Sequence, residues 1–344
     1  MATLELRGIE KHYAGVHAVD GIDLKVRDGE FLAILGPSGC GKSTTMRMIA
    51  GLEMPTIGDI LIGDEVVTRL PPRLRNVSMV FQSYALYPHM SVAENIAFPL
   101  KAAHMPRAER EQKVAWAAKL MGVEPLLKRR PARLSGGEKQ KVALARALVR
   151  APTLFIFDEP LSSLDAQVRA MARGELRQLH DRTGITTVYV THDQIEAMGM
   201  GDRIAVMKSG QVRQLGTPQE LYSNPADTFV ASFLGTPPMN LLKRDGRIVG
   251  FRPECVRVAH AGAAMADGAF RLEVKVIEVE FLGADWQVYA HAEGGSEIHK
   301  LLARVNSGDA AALKVGESAQ FTVAPADLRY FDATTGKRIE HGGN

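Results

Sequence analysis

Apolar and polar residues alternate through the first 30 positions, with Leu4 and Leu6 and then Ile22, Leu24 and Val26 in one phase. A period of two with one apolar face predicts half-buried antiparallel strands. The stretch ILIGDEVV at 60–67 predicts a tight hairpin turning at Gly63-Asp64. Four short runs look different: Phe31–Leu35, Met79–Phe81, Leu154–Phe157 and Val188–Val190. They are nearly continuous in apolar residues, the pattern of strands buried on both faces of a parallel sheet. Helical spacing separates them, with Met46, Ile49 and Ala50 in one segment and Val168, Met171, Leu176 and Leu179 in another. Strands alternating with helices predict an α/β core. Residues 91–150 are rich in Ala, Lys, Glu and Arg and predict a helical insert. RIAVMKSGQVRQLG at 203–216 predicts a further hairpin turning at Ser209-Gly210.

The texture changes after residue 235. GTPPMN at 235–240 is a loop with two prolines, and strand patterns dominate beyond it. Leu272, Val274 and Val276 share one phase, whereas Ile277, Val279 and Phe281 continue in the opposite one. A phase flip inside one run predicts a β-bulge. Residues 236–344 therefore read as a separate, small all-β domain of OB-like barrel type, following a first domain at 1–235.

Composition narrows the class. Of 344 residues, 46% are hydrophobic and 24% charged, which is ordinary globular usage with room for one to three domains. A net charge of +3 is too mild to point to nucleic acid. The cluster Lys128, Arg129, Arg130, Arg133 reads as a solvated helix end. Only Cys40 and Cys255 are present, and Cys40 lies inside a glycine-rich loop, so no structural disulfide is expected and a reduced, cytosolic setting fits. MATLELRGIEKHY carries charges every few residues and no apolar core of a signal peptide. The longest apolar runs fall far short of the ~20 residues of a membrane helix. Any membrane role would run through a partner.

The chemistry begins at LGPSGCGKST, residues 35–44, which matches G-x-x-x-x-G-K-[ST] at Gly36, Gly41, Lys42 and Ser43. A strand pattern precedes it and a helix pattern follows, the context this phosphate loop requires. Glycines 36, 39 and 41 let backbone N–H groups turn inward, and the helix N-terminus adds partial positive charge. Lys42 is placed to neutralise β- and γ-phosphates, and the Ser43 hydroxyl to ligate Mg²⁺. In LFIFDEP at 154–160, four apolar residues end in two carboxylates. The C-terminal end of a strand is where ligands sit in α/β sheets. Asp158 is then placed to hold Mg²⁺, and Glu159 to orient or deprotonate a water.

LSGGEKQKVALARAL at 134–148 has Ser135 followed three residues later by Glu138, a helix capping box. Residue chemistry alone leaves two options: a well-capped helix, or one whose Ser-Gly-Gly start also binds phosphate. Gln82 in MVFQSY and His192 in VYVTHDQ each follow a buried run. Together with Asp158 they predict polar groups at the ends of three strands around one phosphate loop.

These motifs resemble those of ATP-binding cassette (ABC) transporter ATPases. Gly36–Thr44 is similar to the Walker A loop, LSGGE to the family signature and LFIFDEP to Walker B. LSSLD at 161–165 is similar to the D-loop, and Gln82 and His192 to the Q- and H-loop residues. VFQSYALYPHMSVAENIAFPL, TTVYVTHDQIEAM and FVASFLGTPPMNLL resemble the maltose/glycerol-phosphate importers of the carbohydrate-uptake-1 class. Their C-terminal TOBE-type OB domain matches GFRPECVRV and the β-rich tail.

The resemblance implies a P-loop NTPase fold with a mixed sheet, an antiparallel β subdomain and a helical subdomain at about 88–150, then a TOBE domain at 236–344. It implies ATP and Mg²⁺ as ligands, with Ser43, Gln82 and Asp158 around the metal. Glu159, His192 and Gln82 would serve hydrolysis, and Tyr13 would stack on adenine. Ser38, Gly39, Cys40, Gly41, Lys42, Ser43 and Thr44 would bind phosphate. Ser135, Gly136, Gly137, Glu138 and Asp165 would act across a head-to-tail pair of ATPase subunits. Two permease subunits would meet Gln82–His89 at the cytoplasmic face of the membrane, and a solute-binding protein would act through them. The signature departs from its subfamily, which usually has Gln at Glu138; the carboxylate adds negative charge near ATP. An importer ATPase for polyamine, iron or an anion is the near alternative, and a soluble non-transport ABC ATPase the more distant one.

Overall fold

The computed structural model describes residues 2–244, 246–259, 268–292 and 299–340, in two compact units, Met1–Pro218 and Gln219–Asn344. In the first, a six-stranded sheet runs in the order Gln211–Gly216, Arg203–Lys208, Phe31–Leu35, Thr186–Thr191, Leu154–Asp158, Val77–Val80. All neighbours are parallel except the pair Arg203–Lys208 and Gln211–Gly216. The sheet is therefore mixed, with the predicted hairpin at 203–216 as its antiparallel edge. Its strands are two-faced. Leu154 and Ile156 enter one apolar core with Leu32, Ile34, Val188 and Val190, while Phe155 and Phe157 enter another with Phe31 and Tyr189. Burial on both sides explains why these runs read as continuous rather than alternating.

A second sheet in this unit is antiparallel, in the order Val16–Val26, Leu4–Tyr13, Ile57–Ile62, Glu65–Val66. It buries Leu4, Leu6, Ile22, Leu24 and Val26 against the helix Lys42–Ala50. Three helices, Val92–Ala102, Arg107–Leu120 and Gly136–Leu148, form the helical segment and pack on the other sheet face through Ile96, Ala117, Val142 and Leu144. One run needs correction. The strand expected at Met79–Phe81 is Val77–Val80, and Phe81 lies beyond it, 37% exposed. Its aromatic ring joined an apolar run in sequence, but the sheet ends one residue earlier.

The second unit is strand-rich and OB-like. One sheet runs Asn240–Arg244, Arg247–Phe251, Arg329–Asp332, Arg338–Ile339; the other runs Arg257–Val258, Ser318–Val323, Phe270–Phe281, Trp286–Ala292, His299–Val305. Leu242, Phe251, Val274, Val288, Leu301 and Phe321 fill a shared core. The predicted bulge is present: the pairing of Phe270–Phe281 with Trp286–Ala292 shifts register between Val276 and Glu278. The unit begins earlier than the change of texture at 236. Its helices Pro218–Ser223 and Thr228–Phe233 are tied to it by the buried Arg252, whose guanidinium donates to the carbonyls of Tyr222, Ala231 and Leu234. Helical sequence preceding a β-rich tail gives no local sign of that tie.

Candidate functional site

The phosphate loop joins the strand Phe31–Leu35 to the helix Lys42–Ala50. Two of its glycines are sterically required. A Cβ at Gly36 would sit 2.4 Å from the Met207 carbonyl oxygen. At Gly41, φ is +102° and a Cβ would sit 2.4 Å from the Ala18 carbonyl oxygen. The helix that follows has no side-chain cap and no acid in its first turn. Its first N–H groups thus lack side-chain acceptors and form a cradle for an anion. Ser38 and Gly39 are exposed at the loop tip, and Cys40 is buried behind it. Lys42 is buried, and its Nζ donates to the carbonyls of Gly36 at 2.8 Å and Pro37 at 3.0 Å. A buried ammonium held by carbonyl dipoles is suited to an anionic ligand, because dipoles offset only part of its desolvation.

Strand order brings the other polar groups to this edge. The strand ending at Thr191, just before His192, pairs on one side with the phosphate-loop strand and on the other with the strand ending at Asp158. The strand Val77–Val80, two residues before Gln82, flanks Leu154–Asp158. Burial and then the neighbouring Glu159 push the Asp158 carboxyl above the usual aspartate range, against Arg47, a hydrogen bond from Ser43 and Lys42. The helix Lys42–Ala50, whose first turn carries Ser43, packs beside the strand that ends at Asp158. A hydroxyl and a carboxylate are hard oxygen ligands that fit a small cation completing its shell with phosphate and water; among the described residues, no cluster of three or more His, Cys, Asp or Glu suits a metal.

Glu159 is held with φ at +46°, a strained setting for a non-glycine residue. Its N–H donates to Val190 O at 2.9 Å, and the Ser162 hydroxyl donates to its carbonyl at 2.9 Å. The side chain then lies 3.0 Å from His192 Nδ1. The Nδ1–H tautomer of His192 donates to this carboxylate. His192 in turn sits between Thr191 and Asp193. The Thr191 hydroxyl accepts from Asp193 N–H and donates to the buried Glu196, which also accepts from Tyr189. Gln82 is exposed just past its strand. Tyr13 ends the strand Leu4–Tyr13, 44% exposed, with Lys11 Nζ 5.0 Å from its ring centre.

The capping box is present as read. The Ser135 hydroxyl accepts from Glu138 N–H, and Glu138 accepts from Ser135 N–H at 2.7 Å. Arg129 lies 3.8 Å from the same carboxylate. Gly136 and Gly137 face Leu164 and Val168, around the helix Ala166–Thr183 that Asp165 caps through Val168 N–H. This end thus packs on the LSSLD segment, whereas the phosphate loop packs on Ala18 and Met207.

The Gln82–His89 segment is not exposed throughout. Tyr84 is buried, with its hydroxyl 2.9 Å from Ser163 Oγ. Arg146, unnoticed in sequence, donates to the Tyr84 and Ala85 carbonyls at 2.7 Å each. A signal existed: Arg146 follows Val142 by four residues and so lies on the apolar side of its helix.

Comparison with known proteins gives the family. The ABC transporter family model matches residues 19–162 and the TOBE domain model residues 249–331. The sn-glycerol-3-phosphate import ATP-binding protein UgpC of Cupriavidus pinatubonensis is 46% identical, covering 99% of this chain and all of that protein. The chain belongs to the ABC transporter ATP-binding family. The UgpC of Paracoccus denitrificans is 45% identical over the same share of this chain. Among solved structures, a dimeric post-hydrolysis ATP-binding cassette, MJ0796, bound to ADP and Pi, is 31% identical with a TM-score of 0.56, covering 62% of this chain and 98% of that one. The protein cbiO1 of Clostridium perfringens, described as part of the ABC transporter complex cbiONQ, gives 32% and 0.59 over 63% and 89%. The chain is thus an ABC-type ATPase. Among its described residues, no helix is long and apolar enough to cross a membrane.

Proposed function

We propose that this ABC ATPase energises import of glycerol phosphate or a related carbohydrate or polyol. The solute class rests on likeness to the UgpC proteins over nearly the whole of both chains. The observation that carries the mechanism is the Glu159–His192 contact at one end of adjacent strands, next to Asp158 and beside the helix that follows the phosphate loop.

In this reading the backbone of Ser38–Thr44 and the Lys42 ammonium hold the nucleotide phosphates, and Tyr13 stacks on the base. Ser43, Asp158 and Gln82 would hold Mg²⁺, which would supply neutralisation of phosphate charge. Glu159 accepts the proton of the attacking water. His192, donating to Glu159, orients that carboxylate and faces the γ-phosphate. Ser135, Gly136, Gly137, Glu138 and Asp165 act on the nucleotide of a second copy. Their separation from the phosphate loop within one chain, each packed on different neighbours, supports completion by a partner.

Closure of the pair on ATP would bias the permease between its states, since binding energy that favours one conformation shifts the equilibrium. The permease would be met by Gln82–His89 and the groove of about 230 Å³ beside it, lined by Phe81, Tyr87, Phe98, Pro99 and Arg150. That contact would hold the ATPase at the cytoplasmic face of the membrane. Co-purification with the neighbouring permease and binding protein, followed by ATP hydrolysis in lipid against sugars, polyols and phosphorylated glycerols, tests the reading. Stimulation by a glycerol phosphate or sugar supports it. A stable complex stimulated only by polyamine, iron or an inorganic anion replaces the solute class, and no permease complex overturns the importer reading.

A further inference from the structure

We infer that Arg146 is a positioning residue that clamps the Gln82–His89 segment to the signature helix, making Tyr84-Ala85 a mechanical joint between that segment and the trans-acting end of the site. The inference deepens the proposed function and rests on its assignment of Ser135–Glu138 to ATP.

Three observations converge on this dipeptide. Tyr84 and Ala85 both have positive φ, +59° and +48°, although neither is glycine. Consecutive left-handed residues of this kind persist only where surroundings over-determine them. The surroundings are Arg146, whose two Nη atoms each donate to one of the two carbonyls at 2.7 Å. A planar guanidinium engages two acceptors through a rigid fork of donors, whereas a lysine ammonium, which can also reach two carbonyls as Lys42 does, lacks that fixed fork. The same guanidinium lies 5.7 Å from the Tyr87 ring centre, so it also grips the segment further on. Burial lowers the Arg146 pKa, and a guanidinium is charged in proteins even so. Its carbonyl partners are backbone, so the clamp holds a shape rather than a salt bridge.

The other ends of these contacts reach the nucleotide machinery. Arg146 lies on the helix Gly136–Leu148, about 15 Å along the axis from Gly136 at 1.5 Å per residue. The Tyr84 hydroxyl meets Ser163, two residues before Asp165, which caps the next helix. A displacement of the signature helix on ATP is therefore passed to Tyr84-Ala85 by a rigid rod, and to the exposed residues on either side of them.

Amide hydrogen exchange on the full chain tests this, in a Glu159→Gln background with and without ATP and Mg²⁺. ATP is expected to slow exchange at both 135–140 and 84–90. In Arg146→Met the ATP effect at 84–90 should fall at least about threefold, the scale of a modest coupling energy, while that at 135–140 is kept. Arg146→Lys, which holds the charge but not the fixed fork, should recover part of it and guards against misfolding of the first variant. An unchanged ATP effect at 84–90 in Arg146→Met, or no effect there in the parent, overturns the inference. Absence of the effect at 135–140 in the parent counts against the trans-site reading instead, and the comparison at 84–90 still decides the clamp.

Discussion

Two helices of this protein begin with glycine beside a serine or lysine, and they begin in opposite ways. At Lys42–Ala50 the cap is Gly41 at φ +102°, with no side-chain acceptor and no first-turn acid. At Gly136–Leu148 a reciprocal capping box occupies Ser135 and Glu138. The first end keeps its donors for a ligand and is unstable as a bare helix start. The second satisfies two donors internally and is stable without one. A site that must bind nucleotide within its own chain leaves its amides open. A site that acts only when a partner arrives benefits from an internal cap while it waits, and the Ser135 hydroxyl, used only as an acceptor, keeps its proton to donate outward.

The sharpest way to break this contrast is at the open end. Gly41→Ala should abolish ATP binding, measured with a fluorescent nucleotide, because a Cβ at that φ meets the Ala18 carbonyl. Glu159→Gln should keep binding and lower hydrolysis by about 10²–10⁴, the range of a lost general base, and trap a dimer visible by size exclusion. Normal turnover there would remove Glu159 from that role. Asp158→Asn should lose Mg²⁺-dependent hydrolysis yet raise the Tm of the nucleotide-free protein. The Asp158 pKa is raised in the fold, so its ionised form is disfavoured there. That penalty is absent below the usual aspartate pKa of 3.8 and grows as pH rises through the shifted value, so the Tm gain should vanish in acid.

At the capped end the effects are smaller. Ser135→Ala should cost about 1 kcal/mol of stability through the cap, by chemical denaturation, and lower ATPase without weakening nucleotide binding to the single chain. Glu138→Gln keeps an acceptor for Ser135 N–H and loses an exposed pairing with Arg129, so it should change stability by less than ~0.5 kcal/mol. Its pH signature is distinct. The Ser135 amide holds the Glu138 pKa below the ordinary 4.5, so this capping interaction stabilises above that value and is lost as pH falls through the lowered one. The glutamine variant should lack that acid sensitivity.

Much of this was legible in the chain. Continuous apolar runs named the two-faced strands, and the phase flip at Ile277 named a bulge that the register confirms. Ser135 and Glu138 spelled a capping box, and the glycines of residues 36–41 spelled a loop whose backbone N–H groups can turn inward. Such features depend on neighbours a few residues apart, where backbone geometry and side-chain chemistry act directly.

What remained belongs to the fold. Strand order brings Glu159 to His192, and the helix carrying Ser43 to the strand that ends at Asp158, more than a hundred residues away. The local sequence gives no sign that Tyr84 is buried, because its partners Ser163 and Arg146 lie on other elements. Residues 219–235 join the β-rich unit because Arg252 collects their carbonyls. In each case the deciding partner is distant along the chain. Periodicity records which face of an element is apolar, but only tertiary packing selects what that face, or the polar group at its end, will meet.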